Sequence, residues 1–219
     1  MAPSLLRIAA LLLLCQLAPS SASAQYLFAD TNGDSICDPY DHFENGLDTV
    51  WIWIDTNHDL FGGVVTCPTG EDLTISDYEL CLDVSSYATG YQPVTVGKWI
   101  NKVPEFTDSL GFHVGTNGPT RVHVYYSSSG ASNHLPPGKR LLGGLEVTMA
   151  PRACNRVYFA PEALIGGISY ETSFYSKCPG TVGDNRVRLG TDFLEACQAG
   201  DFCSGIESTT WGQMKQRYR

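Results

Sequence analysis

The sequence predicts an all-β protein, an antiparallel β-sandwich with Greek-key or jelly-roll wiring and a short C-terminal helix. Three observations predict it. Apolar residues recur at every second position in run after run, the period of a half-buried strand. Turn signals punctuate those runs, among them Gly62-Gly63, Gly118-Pro119, Pro136-Pro137-Gly138 and Pro179-Gly180. No stretch of 3.6-residue periodicity lies between the runs, which leaves no βαβ unit and no parallel α/β architecture.

Taken in chain order, residues 1–24 read as a secretory signal peptide. Arg7 precedes an apolar stretch from Ile8 to Leu14, and Ala22-Ser23-Ala24 is a small-x-small cleavage triplet that leaves Gln25 first. The stretch is too short to span a bilayer, and no later run of 18 apolar residues exists, so no membrane span is expected. Lipidation at Cys15 is disfavoured because Leu12-Leu13-Leu14 lacks the small residue such a site places before its cysteine. Residues 25–46 form an N-terminal loop segment, 47–205 the sandwich domain and 206–219 a tail.

Within the domain, Asp48 to Asp55 encloses Val50-Trp51-Ile52-Trp53-Ile54, apolar on both faces, as suits a central strand covered on both sides. The clearest half-buried strand sets Tyr78, Leu80, Leu82 and Val84 against Glu79, Cys81, Asp83 and Ser85. Val122 and Val124 alternate with Arg121 and His123; Leu145, Val147 and Met149 with Glu146 and Thr148; Val157 and Phe159 with Arg156 and Tyr158. Val187 and Leu189 alternate with Arg186 and Arg188. About eight strands result. In the tail, Thr210 caps a short turn with Gln213 three residues on, and Lys215, Arg217 and Arg219 make its end basic.

Composition excludes several classes of function. A chain of 219 residues, 43% hydrophobic and 17% charged, buries its own core rather than remaining disordered. Its 14 Lys and Arg against 23 Asp and Glu give a net charge of −9, and losing Arg7 with the leader takes this to −10. That sign opposes nucleic-acid binding, which needs clustered cations to displace counterions. Seven cysteines follow the leader, at 37, 67, 81, 154, 178, 197 and 203, and an exported chain favours their oxidation. At least one of the seven stays unpaired or bridges chains. Local context suggests Cys197 with Cys203 around Gly200, Cys67 with Cys178, and Cys81 with Cys154.

One motif carries chemistry. Between Asp30 and Asp41, oxygen side chains stand at loop positions 1, 3, 5, 9 and 12 (Asp30, Asn32, Asp34, Asp38 and Asp41), and Ile36 offers its carbonyl at position 7. This is EF-hand-type spacing for calcium, a hard cation that takes six to eight oxygens. Ser35 replaces the usual turn Gly, and Asp41 the bidentate Glu. The alternative is an Asx-rich turn whose side chains bond their own backbone. A second cluster, Asp55, Asn57 and Asp59, repeats the start of the motif 25 residues on, and carboxylates of the two clusters are candidates for one shared site or two adjacent ones.

The first loop resembles the calcium loop of dockerin modules at Asp30, Asn32, Asp34, Asp38 and Asp41. The region from Thr49 to about Gly190 resembles cohesin-like and carbohydrate-binding-module-like sandwiches of exported bacterial proteins, through Val50 to Ile54, Ile75 to Leu82, and Leu135-Pro136-Pro137-Gly138 leading into Leu145 to Thr148. The resemblance implies an extracellular adhesion or scaffolding module that binds protein or polysaccharide.

No catalytic motif is present: there is no G-x-S-x-G, H-E-x-x-H, P-loop or dinucleotide fingerprint, and the five histidines share no ligand spacing. His113 and His123 read as strand-surface residues. The expected function is therefore a secreted, calcium-binding, non-catalytic module. One alternative is a carbohydrate-binding module using Trp99, Tyr125, Tyr126 or Tyr158 as a stacking strip. A second is an extracellular hydrolase working through two carboxylates in a cleft.

Overall fold

A computed structural model describes residues 25–36, 46–58, 74–86, 95–115, 120–128, 134–149, 154–177, 185–189, 194–197 and 202–203. The leader expected over residues 1–24, Cys37, Asp38, Asp41, Asp59, Cys67, Cys178 and the C-terminal helix expected from Thr210 lie outside these residues. Fourteen strands are present among them: β1 (Gln25–Asp30), β2 (Gly46–Asp55), β3 (Thr74–Ser86), β4 (Thr95–Asn101), β5 (Asp108–Gly115), β6 (Thr120–Ser127), β7 (Lys139–Met149), β8 (Cys154–Phe159), β9 (Glu162–Ile165), β10 (Ile168–Glu171), β11 (Ser173–Lys177), β12 (Asn185–Arg188), β13 (Leu194–Cys197) and β14 (Phe202–Cys203). No helix among the described residues is long and apolar enough to cross a membrane.

The strands build two main sheets. The first runs β13-β1-β2-β7-β4, which makes the doubly apolar β2 the central strand its sequence called for. The second runs β12-β11-β3-β6-β5, with β8 and β14 attached beyond β3. Among the described strands the chain passes between these sheets at β2 to β3, β3 to β4, β4 to β5, β6 to β7, β7 to β8, β12 to β13 and β13 to β14, so neighbours in sequence are often in opposite layers. Among the described residues all strand pairings are antiparallel but one: β1 lies parallel to β13, with Gln25 opposite Leu194 and Phe28 opposite Cys197.

Alternation explains the core. Leu27 and Ala29, Val50, Ile52 and Ile54, and Leu145 and Val147 point inward from the first sheet. They meet Tyr78, Leu80, Leu82 and Val84, Val122 and Val124, and Val157 and Phe159 from the second. Full burial of such side chains contributes about 1.5–3 kcal/mol each. At the centre of this layer Gly143 lies under Trp99: a Cβ there would meet the indole at 2.3 Å and the Ile100 carbonyl at 2.7 Å, so only a residue without a side chain fits.

A separate two-stranded ribbon, β9 with β10, interrupts the edge of the second sheet. On one edge β3 pairs with β6 from Asp77 to Val84; on the other it pairs with β11 over its first half and β8 over its second. The ribbon leaves the chain at that changeover and turns at Gly166-Gly167, both at positive φ (60° and 85°) as a tight hairpin requires. It then folds over the outer face of β3. Ala163 and Ile165 close on Cys81 there as a small second core.

Candidate functional site

The described part of the N-terminal loop is organised by Asp30. This residue ends β1 fully buried; its Oδ1 accepts the Gly33 N–H at 2.7 Å and its Oδ2 the Ser35 N–H at 2.9 Å. Asn32 Oδ1 accepts the Asp34 N–H at 2.9 Å, Asn32 Nδ2 donates to Asp34 Oδ2 at 3.1 Å, and Asp34 Oδ1 accepts the Ile36 N–H at 2.8 Å. Gly33 and Ser35 both take left-handed backbone, φ 82° and 63°. Ser35 therefore adopts the conformation that the usual Gly supplies at loop position 6. An ionised carboxylate has about four lone-pair sites, so accepting one amide per oxygen leaves capacity for a cation. Lys139 Nζ donates to the Ser35 carbonyl at 2.9 Å and ties the loop to β7.

The second cluster is built differently. Asp55 ends β2 buried, its Oδ1 accepts the Asn57 and His58 N–H groups at 2.9 and 3.1 Å, and His58 Nδ1 lies 3.2 Å from its Oδ2. The Thr56 hydroxyl accepts the Gly138 N–H at 2.8 Å, which pins this turn to the approach of β7. Burial first and the Asp55 charge second raise the pKa of the Tyr26 phenol. In the β1–β2 register Asp30 stands opposite Trp51 and Asp55 opposite Tyr26, four residues apart along the strand. At about 3.3 Å per residue that is roughly 13 Å, so the two carboxylates are not brought together and the shared site considered from sequence is not formed by this pair.

A third polar constellation lies elsewhere, on the outer face of the second sheet. Glu79 Oε1 lies 3.0 Å from His123 Nε2, and its Oε2 accepts from Arg186 at 2.7 Å. Arg186 also reaches Glu171 Oε1 at 2.6 Å, with Arg188 Nε 3.0 Å from the other oxygen of Glu171. Arg186 donates from Nε to the Ser173 hydroxyl at 3.1 Å and lies over the Tyr175 ring. Tyr170 of the ribbon stacks on His123 with centroids 3.8 Å apart, and His113 stacks beside both.

These contacts correct the surface reading of His123, which is only 4% exposed because the ribbon covers it. Its Nδ1 has no hydrogen-bond partner among the described residues. A cavity of about 310 Å³ opens beside the network, lined by Glu79, Glu162, Ser169, Tyr170, Glu171 and Arg186. Both oxygens of Glu79 are engaged: Oε1 by His123 and the Glu171 N–H at 3.4 Å, Oε2 by Arg186.

The ribbon is fastened at its root by Thr172. This buried hydroxyl donates to the Ala160 carbonyl at 2.6 Å and accepts the Cys81 N–H at 2.9 Å. Cys81 beneath it is a free thiol, which removes the Cys81–Cys154 bridge expected from sequence; the ribbon, not a sheet edge, faces it. Burial first, then the neighbouring Glu79 charge, pushes the Cys81 thiol up to about 12.

The expected aromatic strip is not assembled. Trp99 is buried and its Nε1 donates to the Tyr78 hydroxyl at 3.3 Å, while Tyr126 stacks on Tyr78 beside the core. Tyr125 and Tyr158 are half-buried on the opposite, outer face. Nothing in the sequence marked the Glu79 network, because Glu79 and Arg186 stand 107 residues apart and only the register of β3, β11 and β12 brings them together.

No protein-family model matches the chain, and no curated protein matches it. Among solved structures it is similar to cohesin modules. CaCohA2 from Clostridium acetobutylicum is 13% identical with a TM-score of 0.45, the match covering 86% of this chain and 96% of that one. The seventh ScaB type I cohesin from Pseudobacteroides cellulosolvens is 6% identical with a TM-score of 0.45, covering 83% and 91%. The second type II cohesin module from the adaptor ScaA scaffoldin of Acetivibrio cellulolyticus is 13% identical with a TM-score of 0.43, covering 89% and 98%. Likeness at this level carries no argument of its own, and the fold class rests on the two sheets and their shared core.

Proposed function

We propose that this chain is an exported, non-catalytic binding module that recognises a protein partner through the outer face of its second sheet and carries calcium in its N-terminal loop. The observation that supports a protein partner is the Glu79–His123–Arg186–Glu171–Arg188 network with Tyr170 and Tyr175 beside it. Arg and Tyr are the residue types enriched where protein surfaces meet, and pre-paired charges reduce the ordering cost of contact. A polysaccharide partner has less support, since Trp99 and Tyr126 are committed to the core side.

For calcium, the donor set is chemically suitable: Asp30, Asn32 and Asp34 offer hard oxygens, as does the Ile36 carbonyl, with Asp38 and Asp41 completing the set in sequence. The second cluster, Asp55 and Asn57 with Asp59, is the lesser candidate, because Asp55 is already engaged by two amides and His58. Calcium would offset the charge of Asp30 and Asp34 and fix the loop against β1 and β7.

The test is a melting curve of residues 25–219 in millimolar calcium and again in excess chelator. At a calcium concentration 100-fold above Kd, linkage contributes about 2.7 kcal/mol, or roughly 8 °C in a domain this size. The shift should vanish in Asn32→Ala with Asp34→Ala, which leaves the buried Asp30 in place. An unchanged melt in the parent protein removes calcium from the proposal. For the partner, retention on polysaccharide gels is expected to be absent, and retention lost in Tyr125→Ala would replace the protein reading with a glycan one.

A further inference from the structure

Strand register and cysteine arithmetic together point to a covalent link. Cys154 opens β8 and Cys203 closes β14, and the antiparallel pairing makes them direct cross-strand partners, with Phe202 opposite Asn155 on the following step. Directly opposed residues of an antiparallel pair have Cα atoms about 4.5 or 5.5 Å apart, depending on the hydrogen-bonding position. A disulfide spans Cα separations of about 4.4–6.8 Å, so either position admits the bond without backbone movement.

The free thiol of Cys81 strengthens the argument. Enclosed by Ala160, Ala163 and Ile165, it is withdrawn from pairing, and its withdrawal turns the seven cysteines after the leader into an even set. Cys197, the other cysteine on a described strand, stands opposite Phe28 in the first sheet, whereas β14 joins the second.

We propose that Cys154 and Cys203 form a disulfide that fastens the last strand to the second sheet. A pair only two residues long does not hold by hydrogen bonds alone, and the bond would supply what length does not. It forms by thiol–disulfide exchange: a protein disulfide of the export compartment accepts two electrons and two protons. Cys154 and Cys203 become joined, and the donor leaves as two thiols.

The experiment is peptide mapping of the protein produced with its leader in an oxidising compartment, alkylated in denaturant without reduction. The expected result is a peptide containing Cys154 joined to one containing Cys203, with Cys81 alkylated. Either cysteine found alkylated, or joined to a different one, overturns the proposal whatever the outcome for calcium or partner. Closing a loop of about 50 residues implies that Cys203→Ser lowers Tm by roughly 10 °C. Adding Cys154→Ser should lower it little further, because the bond is lost once. Two independent, additive losses would count against the link.

Discussion

Ser35 occupies left-handed backbone at φ 63°, a region that costs a residue with a Cβ roughly 1–2 kcal/mol and costs glycine nothing. Ser35→Gly should therefore raise stability by about 1 kcal/mol, seen as ~3 °C in Tm, once the extra freedom of glycine in the unfolded chain is offset. An unchanged or lower Tm would show that the serine side chain compensates its own strain. Cys81 gives the second residue-scale prediction. Its thiol is raised in the fold from 9.0 to about 12, so the folded state favours the neutral form. The contribution is fully present below pH 9 and is lost as pH rises toward 12, because the unfolded chain ionises first. By pH 10 the loss is about 1 kcal/mol. Wild type should lose Tm between pH 8 and 10 more steeply than Cys81→Ala, and parallel slopes would contradict the assignment.

The β9–β10 ribbon makes a prediction for an element. Thr172→Val keeps the shape at its root but removes the hydroxyl, leaving the Cys81 N–H and the Ala160 carbonyl without that partner. A buried group so stranded costs about 1–3 kcal/mol, and the drop in Tm should reach roughly 6 °C. Faster amide exchange confined to 160–172 would locate the effect in the ribbon. The ribbon was also the least legible element in the sequence. Glu162 to Ile165 offers only four residues of alternation, too few to separate a strand from a loop. The face of Trp99, core or stacking strip, was not fixed by the sequence for a related reason. The register of β4 against β7 shifts between Val96 and Trp99, and a bulge breaks the strict period on which inside and outside are assigned. In β3 the inward set Tyr78, Leu80, Leu82 and Val84 was legible, but the burial of Glu79, Cys81 and Asp83 on its other face was not, and in β2 the central place was legible while Trp51 and Trp53 are only partly buried.

For the molecule as a whole, the antiparallel sandwich followed from its alternating runs, but which strand pairs with which did not. Pairing partners far apart in sequence leave no periodic trace, and the Glu79 constellation depends on three strands meeting in one register. The Asp30–Asp34 motif was legible because its residues are contiguous, and the structure adds that Gly33 and Ser35 take left-handed backbone.

The parallel contact of β1 with β13 has a mechanical side. Tension applied at Gln25 and Cys197 pulls these neighbours in opposite directions along their length, since each is held at the far end of the shared register. The inter-strand bonds are then loaded together instead of peeling one by one. Glu162 and Glu171 face each other at the open end of the ribbon, where the same tension unzips bonds in sequence. Single-molecule stretching should record a higher rupture force across 25 and 197 than across 162 and 171.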